Sequence, residues 1–216
     1  MKPAIVVMDY GVGNLLRVTR ALEHCGATAR ISSDPAVILS AERLVLPGVG
    51  AFESCMTSLR ESGLHDPLLE FIGSERPLFG ICVGMQMLLE VGEEFGLHKG
   101  LGVIKGRVQK IPATDISGAK LKIPHTGWNG LQPRAGAGSD SWGGTVLQDI
   151  APGDATYFVH SFAAVPSEPS DCLAITLYGG HPITAAIGRR NVAGTQFHPE
   201  KSGLVGLRIL RCFLAQ

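Results

Sequence analysis

The chain has no CxxC pair, no excess of either charge sign and no long hydrophobic run, and each absence removes a class of function. Lys and Arg number 19 against 19 Asp and Glu, so the basic field that a phosphate backbone requires is missing and nucleic acid is not an expected partner. The early apolar run, Ala4 to Met8, ends at Asp9. It is too short for a signal-peptide core and far below the roughly 20 residues that span a bilayer, so no membrane partner is expected and a cytoplasmic location is. Five cysteines (Cys25, Cys55, Cys82, Cys172, Cys212) follow neither a disulfide framework nor a metal-ligand rhythm, and no metal or cofactor is expected. Repeats, low-complexity tracts and long linkers are also missing, which leaves 216 residues, 45% of them hydrophobic, to fold as one domain over 1–216.

What is present first is alternation. Ala4 to Met8, Ala29 to Ser32, Leu44 to Leu46 and Pro77 to Ile81 read as strands, separated by helical patterns. Asn14 is a cap for apolar positions at Leu15, Val18, Ala21, Leu22 and Cys25, with Gly26 as the stop. Asp34-Pro35 and Asp66-Pro67 mark further helix starts, and Phe52 to Arg60 and Pro67 to Ile72 read as helices. From Gly100 the texture becomes strand-rich: Leu101 to Val108, Ala119 to Ile123, Thr145 to Leu147, Thr156 to Val159, Leu173 to Leu177, Ile183 to Ile187 and Val192 to Phe197. Gly136 to Gly144 reads as an exposed loop, and Ser202 as the cap of a last helix. The expected fold is therefore α/β: a mostly parallel central sheet flanked by helices, with a smaller strand-rich layer from the second half.

Gly80-Ile81-Cys82-Val83-Gly84 stands between a strand and the helical pattern Met85, Leu88, Leu89. A thiol at such an elbow is presented by a strained turn and faces the amide end of the following helix, and the Val83 amide is placed to donate to an oxyanion; a buried cysteine in a glycine-rich turn is the plain alternative. The segment needs a base. In Gln196-Phe197-His198-Pro199-Glu200 an extended chain points residues 198 and 200 the same way, so Glu200 can hold one ring nitrogen while the other faces Cys82. Leu46-Pro47-Gly48-Val49-Gly50 either completes an oxyanion hole or is an ordinary turn. His160 reads as a core or sheet-surface residue, and Pro124-His125-Thr126-Gly127-Trp128-Asn129 as a turn with a Trp anchor. No role falls to His24, His65, His98 or His181, and Cys25, Cys55, Cys172 and Cys212 read as small core residues.

Together these segments resemble the class I, triad-type glutamine amidotransferases. Pro-Gly-Val-Gly at 47–50, Gly-Trp-Asn at 127–129 and Glu-Lys-Ser at 200–202 resemble most the glutaminase subunits of imidazole glycerol phosphate synthases, and the likeness spans nearly the whole chain. The resemblance implies hydrolysis of L-glutamine by Cys82, His198 and Glu200, with Val83 and Val49 at the oxyanion and Gly50, Gln86, His160 and Ser161 around the substrate. It implies that ammonia passes to a (β/α)8-barrel synthase subunit in a heterodimer, giving imidazole glycerol phosphate and an aminoimidazole carboxamide ribonucleotide in histidine biosynthesis. Asn14, Trp128, Tyr157 and Lys201 would meet that barrel, and the Gly48–Val49 peptide would turn over when the partner binds its ligand. Val83 and Phe162 replace a common leucine and tyrosine. An ammonia-donating subunit for another barrel synthase, such as one making a surface-sugar precursor, is the rival reading.

Overall fold

A computed structural model describes residues 2–138 and 141–216. The first part alternates β1 (Ala4–Met8), α1 (Leu15–His24), β2 (Thr28–Ser32), α2 (Pro35–Ser40), β3 (Leu44–Leu46), α3 (Phe52–Glu61), α4 (His65–Gly73), β4 (Leu78–Ile81) and the single turn α5 (Val83–Gln86). The rest is mainly strand: β5 (Leu89–Gly92), β6 (His98–Lys99), β7 (Ile104–Lys110), β8 (His125–Pro133), β9 (Ala155–His160), β10 (Phe162–Pro166), β11 (Cys172–Tyr178), β12 (His181–Arg189) and β13 (Val192–Thr195), closed by α6 (Gly203–Leu214).

Nine strands form one sheet in the order β2-β1-β3-β4-β13-β12-β11-β8-β9, and four form a second in the order β10-β7-β5-β6. The α/β fold with a large sheet and a smaller second one is as expected. Its large sheet is parallel from β2 to β13 and antiparallel from there to β9. β3 and β4 are buried at every residue, because helices cover both faces of the parallel half. Phe213 of α6 packs on Phe79 of β4 with ring centroids 5.1 Å apart, tying the last helix to the strand that ends at Cys82.

Local chemistry explains the helix starts. Asn14 accepts from Arg17 N at 3.3 Å and Asp34 from Ala36 N at 2.9 Å, as caps should. α3 has no local cap; Glu94, 42 residues away, accepts from Phe52 N at 2.8 Å. α4 begins at His65, two residues before Pro67, with Leu68 N donating to Leu64 O, since proline needs no donor in a first turn. Ser202 precedes α6 without capping it: its hydroxyl donates to His198 O at 2.7 Å and accepts from Tyr157 N at 2.9 Å.

Several expected elements differ. α5 stops at Gln86, because the Met87 and Leu89 carbonyls accept from Leu101 and Gly102 and draw the chain into the second sheet. Ala119 to Ile123 is no strand; Asp115 accepts from the Ser117 and Ala119 amides, closing a turn that keeps one bridge, Thr114 to Lys120. Thr145 to Leu147 is a series of turns, in which the Thr145 hydroxyl donates to Trp142 O and accepts from Leu147 N. Residues 139 and 140 of the expected loop lie outside the described residues, but Trp142 beside them is buried in the main core, its indole donating to Leu173 O at 2.7 Å. The tryptophan anchor is thus Trp142; Trp128, expected in that part, is 56% exposed, and its segment is strand β8 rather than a turn.

Candidate active site

Cys82 terminates β4 in a left-handed conformation, φ 55° and ψ −112°, which a residue with a Cβ adopts only under constraint. The constraint is visible on both sides. Its amide donates to Thr195 O of β13 at 2.7 Å, and a Cβ on Gly84 would collide with the Leu46 carbonyl, so the turn is wedged against the end of β3. The sequence pattern thus reaches the expected elbow, but a one-turn α5 presents a few amides rather than a long helix dipole.

His198 and Cys82 line the same cavity of about 340 Å³. His198 is 3% exposed, and its Nδ1 lies 2.9 Å from Glu200 Oε1. The expected extended strand does not carry this pair: β13 stops at Thr195, and Glu200 sits in a 3-10 turn, Pro199–Lys201, that folds its carboxylate under the ring. The Glu200 side chain is 1% exposed, with Oε2 unpartnered among the described residues. Burial by itself lowers the proton affinity of His198, but hydrogen bonds to and charges on Cys82 and Glu200 outweigh it and raise the ring to about 9. The arrangement can move a proton between sulfur, ring and a third atom in the cavity.

Val49, Gly50, Val83, Gln86, His160 and Ser161 also line this cavity. Gln86 is buried, and its amide nitrogen is held within the protein, donating to Phe162 O and to Gln196 Oε1, each at 2.9 Å. His160 is buried as well; burial pushes it down to about 4, aided by the neighbouring His125 and His198 and opposed by its bond to Phe162 O. Asn14, Trp128 and Tyr157 lie outside this centre. Trp128 and Tyr157 meet edge to face across β8 and β9, 6.0 Å between centroids, and with Arg17 and Lys201 they line a separate shallow cavity of about 380 Å³. Lys201 borders both cavities. Asn14 caps Arg17, which borders the shallow cavity.

Three residues of the site are given no role by sequence reasoning, which reads His125 as part of a structural turn. Gln196 is fully buried and directs Nε2 to Cys82 Sγ at 3.7 Å. His125 is buried beside His160, Nδ1 to Nε2 3.1 Å. Glu94 brings the one carboxylate among the described lining residues, and nothing in its Glu-Glu-Phe-Gly surroundings distinguishes it from a solvated loop acid. Among the described residues no group of three or more His, Cys, Asp or Glu could hold a metal ion, and no helix is long and apolar enough to cross a membrane.

A cysteine elbow between parallel strands thus shares one cavity with a histidine steadied by a carboxylate two residues on, and residues 6–216 match the class I glutamine amidotransferase family model. The chain belongs to that family. It is 49% identical over 211 residues, 98% of each chain, to imidazole glycerol phosphate synthase subunit HisH 1 of Legionella pneumophila (strain Lens). It is 46% identical over 210 residues, 97% of this chain and 98% of the relative, to the subunit HisH of Syntrophotalea carbinolica. Among solved structures, PurLQS from Thermotoga maritima superposes over 100% of this chain and 99% of that one with a TM-score of 0.71 at 19% identity, a likeness of fold.

Proposed function

We propose that this chain is the glutamine-hydrolysing subunit of an imidazole glycerol phosphate synthase and serves histidine biosynthesis. The carrying observation is the convergence of a strained Cys82 and the His198–Glu200 pair on one cavity. The near full-length identity to HisH subunits supports the choice of synthase over the surface-sugar rival.

Glutamine enters with its side-chain carboxamide at Cys82 and its α-ammonium toward Glu94, which keeps one oxygen on Phe52 N. His198 takes the thiol proton as the sulfur adds to the carboxamide carbon. The oxygen of the tetrahedral intermediate takes negative charge and meets the Val83 amide and, once the Gly48–Val49 peptide is turned inward, the Val49 amide. His198 then gives its proton to the nitrogen, the C–N bond breaks, and ammonia leaves a thioester on Cys82. Water, deprotonated by the same ring, cleaves the thioester to glutamate and free thiol. Glu200 keeps Nδ1 bonded throughout, so that the other ring nitrogen does the transfer. Gly50, His160 and Ser161 enclose the substrate while Gln86 fixes the floor.

The ammonia is handed to a (β/α)8-barrel synthase subunit docked on the face of Trp128, Tyr157, Lys201 and Asn14, where an exposed indole and a phenol beside two cations make an anchor of the kind interfaces favour. All five cysteines are free, which suits the reducing cytoplasm in which the subunit works. Incubation with a glutamine-mimicking electrophile, followed by mass spectrometry, should place the adduct on Cys82 and on none of the other four; labelling elsewhere would refute the assignment.

A further inference from the structure

A file of hydrogen bonds runs through the interior from β8 to the Cys82 sulfur. Asn129 Nδ2 donates to Leu177 O at 2.9 Å, which fixes its Oδ1 toward His125 Nε2 at 3.0 Å. His125 Nδ1 lies 3.1 Å from His160 Nε2, and His160 Nδ1 lies 2.9 Å from Phe162 O. That carbonyl also accepts from Gln86, Gln86 donates to Gln196, and Gln196 reaches the sulfur.

The two rings stand between two oxygens that can only accept, Asn129 Oδ1 and Phe162 O, and the file has three contacts there. Each contact needs one proton. A neutral imidazole carries a single N–H, so two neutral rings supply two protons and one contact must face lone pair to lone pair. Burial lowers the proton affinity of both rings, His160 to about 4, so the missing proton is not gained at neutral pH. The other ionisable groups nearby do not supply it: His198 across the cavity lowers His160 further, Tyr178 stacks on His125 with its hydroxyl turned to Lys122 O, and Glu94 and Lys201 stand at the cavity wall.

The position of the unmade contact follows from what can relieve it. The middle contact lies between rings 1% and 6% exposed, where relief by water is least available. At the ends, Asn129 is half-buried and within reach of water, and Phe162 O retains the Gln86 donor. The unmade contact therefore falls at an end, which leaves two arrangements. With both protons on Nδ1, His125 donates to His160, His160 donates to Phe162 O, and the Asn129 contact is open. With both on Nε2, His160 donates to His125, His125 donates to Asn129, and the Phe162 contact is open. The rings change tautomer together.

We propose that His125 and Asn129 are positioning residues for the pocket: the orientation and chemistry of Asn129 select the shared tautomer of the two rings, and so decide whether His160 helps hold the Phe162 carbonyl against which Gln86 is set. Asn129 follows the exposed Trp128 on β8, so its setting is open to influence from the outer face. The proposal rests on reading the cavity as the glutamine site.

Long-range 1H–15N spectra of the full chain, labelled at histidine, report the tautomers at pH 7.5. Matched tautomers at His125 and His160 are expected. Asn129→Asp, a stronger acceptor, should drive both rings to Nε2–H, while Asn129→Leu, which offers none, should drive both to Nδ1–H; both variants lose the Nδ2 bond to Leu177 O, so the difference between them isolates the acceptor. Glutamine affinity by calorimetry should differ between the two variants by about twofold to tenfold, the worth of one hydrogen bond. Opposite neutral tautomers on the two rings, the same tautomer in both variants, or equal affinities would overturn the proposal. If the tautomers move as expected and the wild-type chain binds no glutamine, the relay stands and the functional reading of the cavity falls.

Discussion

Two histidines border one cavity, and their surroundings drive them in opposite directions. His198 lies after the parallel strand β13, over a buried carboxylate and beside a thiol, and is raised to about 9. His160 ends the antiparallel strand β9, facing a second imidazole and a carbonyl, and is lowered to about 4. Burial acts against charge at both, so what separates them is the company each ring keeps: acids on one wall, a neutral relay on the other. One wall favours a bound proton, while the other favours an uncharged ring.

The comparison breaks most sharply at Cys82. Cys82→Ala should reduce glutamine-dependent synthesis with the partner by on the order of 10⁴-fold or more, yet leave synthesis from added ammonia unchanged, as assayed by product formation with each nitrogen source. Loss of both would indicate a damaged fold. Glu200→Gln follows. It should cost about 10²- to 10⁴-fold in kcat and bring the His198 titration down from about 9, which histidine NMR can follow; a variant with normal kcat would remove the carboxylate from the mechanism.

Stability against pH separates the two rings without any assay of activity. His198 binds its proton more tightly folded than unfolded, so its contribution is complete below about 6.5 and declines as pH rises toward 9. His160 binds its proton less tightly when folded, so its contribution is complete above about 6.5 and declines as pH falls toward 4. Urea titrations should show slopes of opposite sign, each approaching about 1.4 kcal/mol per pH unit within its window. Replacing His160 by Gln should flatten the acid limb alone, and flattening of both limbs would contradict the separation. Smallest is Asn14→Ala, expected to lower stability by about 1 kcal/mol through loss of the α1 cap while leaving the adduct at Cys82 intact.

Legibility in the sequence followed the distance over which each feature is decided. The elbow could be read because Gly80 is required locally, by a turn that brings the Met85 backbone within reach of a Cβ, although Gly84 answers to the distant Leu46 carbonyl. The caps of α1 and α2 could be read for the same reason. Glu94 and Gln196 could not, since a capping acid 42 residues from its helix and a buried amide aimed at a sulfur 114 residues away carry no local sign. Trp142 misled because glycines and serines around it suggested solvent, whereas the core had space for one indole. Ser202 misled differently: a good capping residue found better partners in the His198 carbonyl and Tyr157 amide.

By itself the sequence determined the alternation of parallel strands and helices, the bend that carries the Cys82 thiol, and the residue types able to serve it, because periodicity and steric demand act over a few neighbouring positions. Only the tertiary structure decided the opposite shifts of His198 and His160, the 3-10 turn that brings Glu200 under His198, and the joining of Asn129 to Cys82 through the interior. Those outcomes depend on desolvation and on hydrogen-bond partners supplied by distant strands, and neither exists until the chain has closed around them.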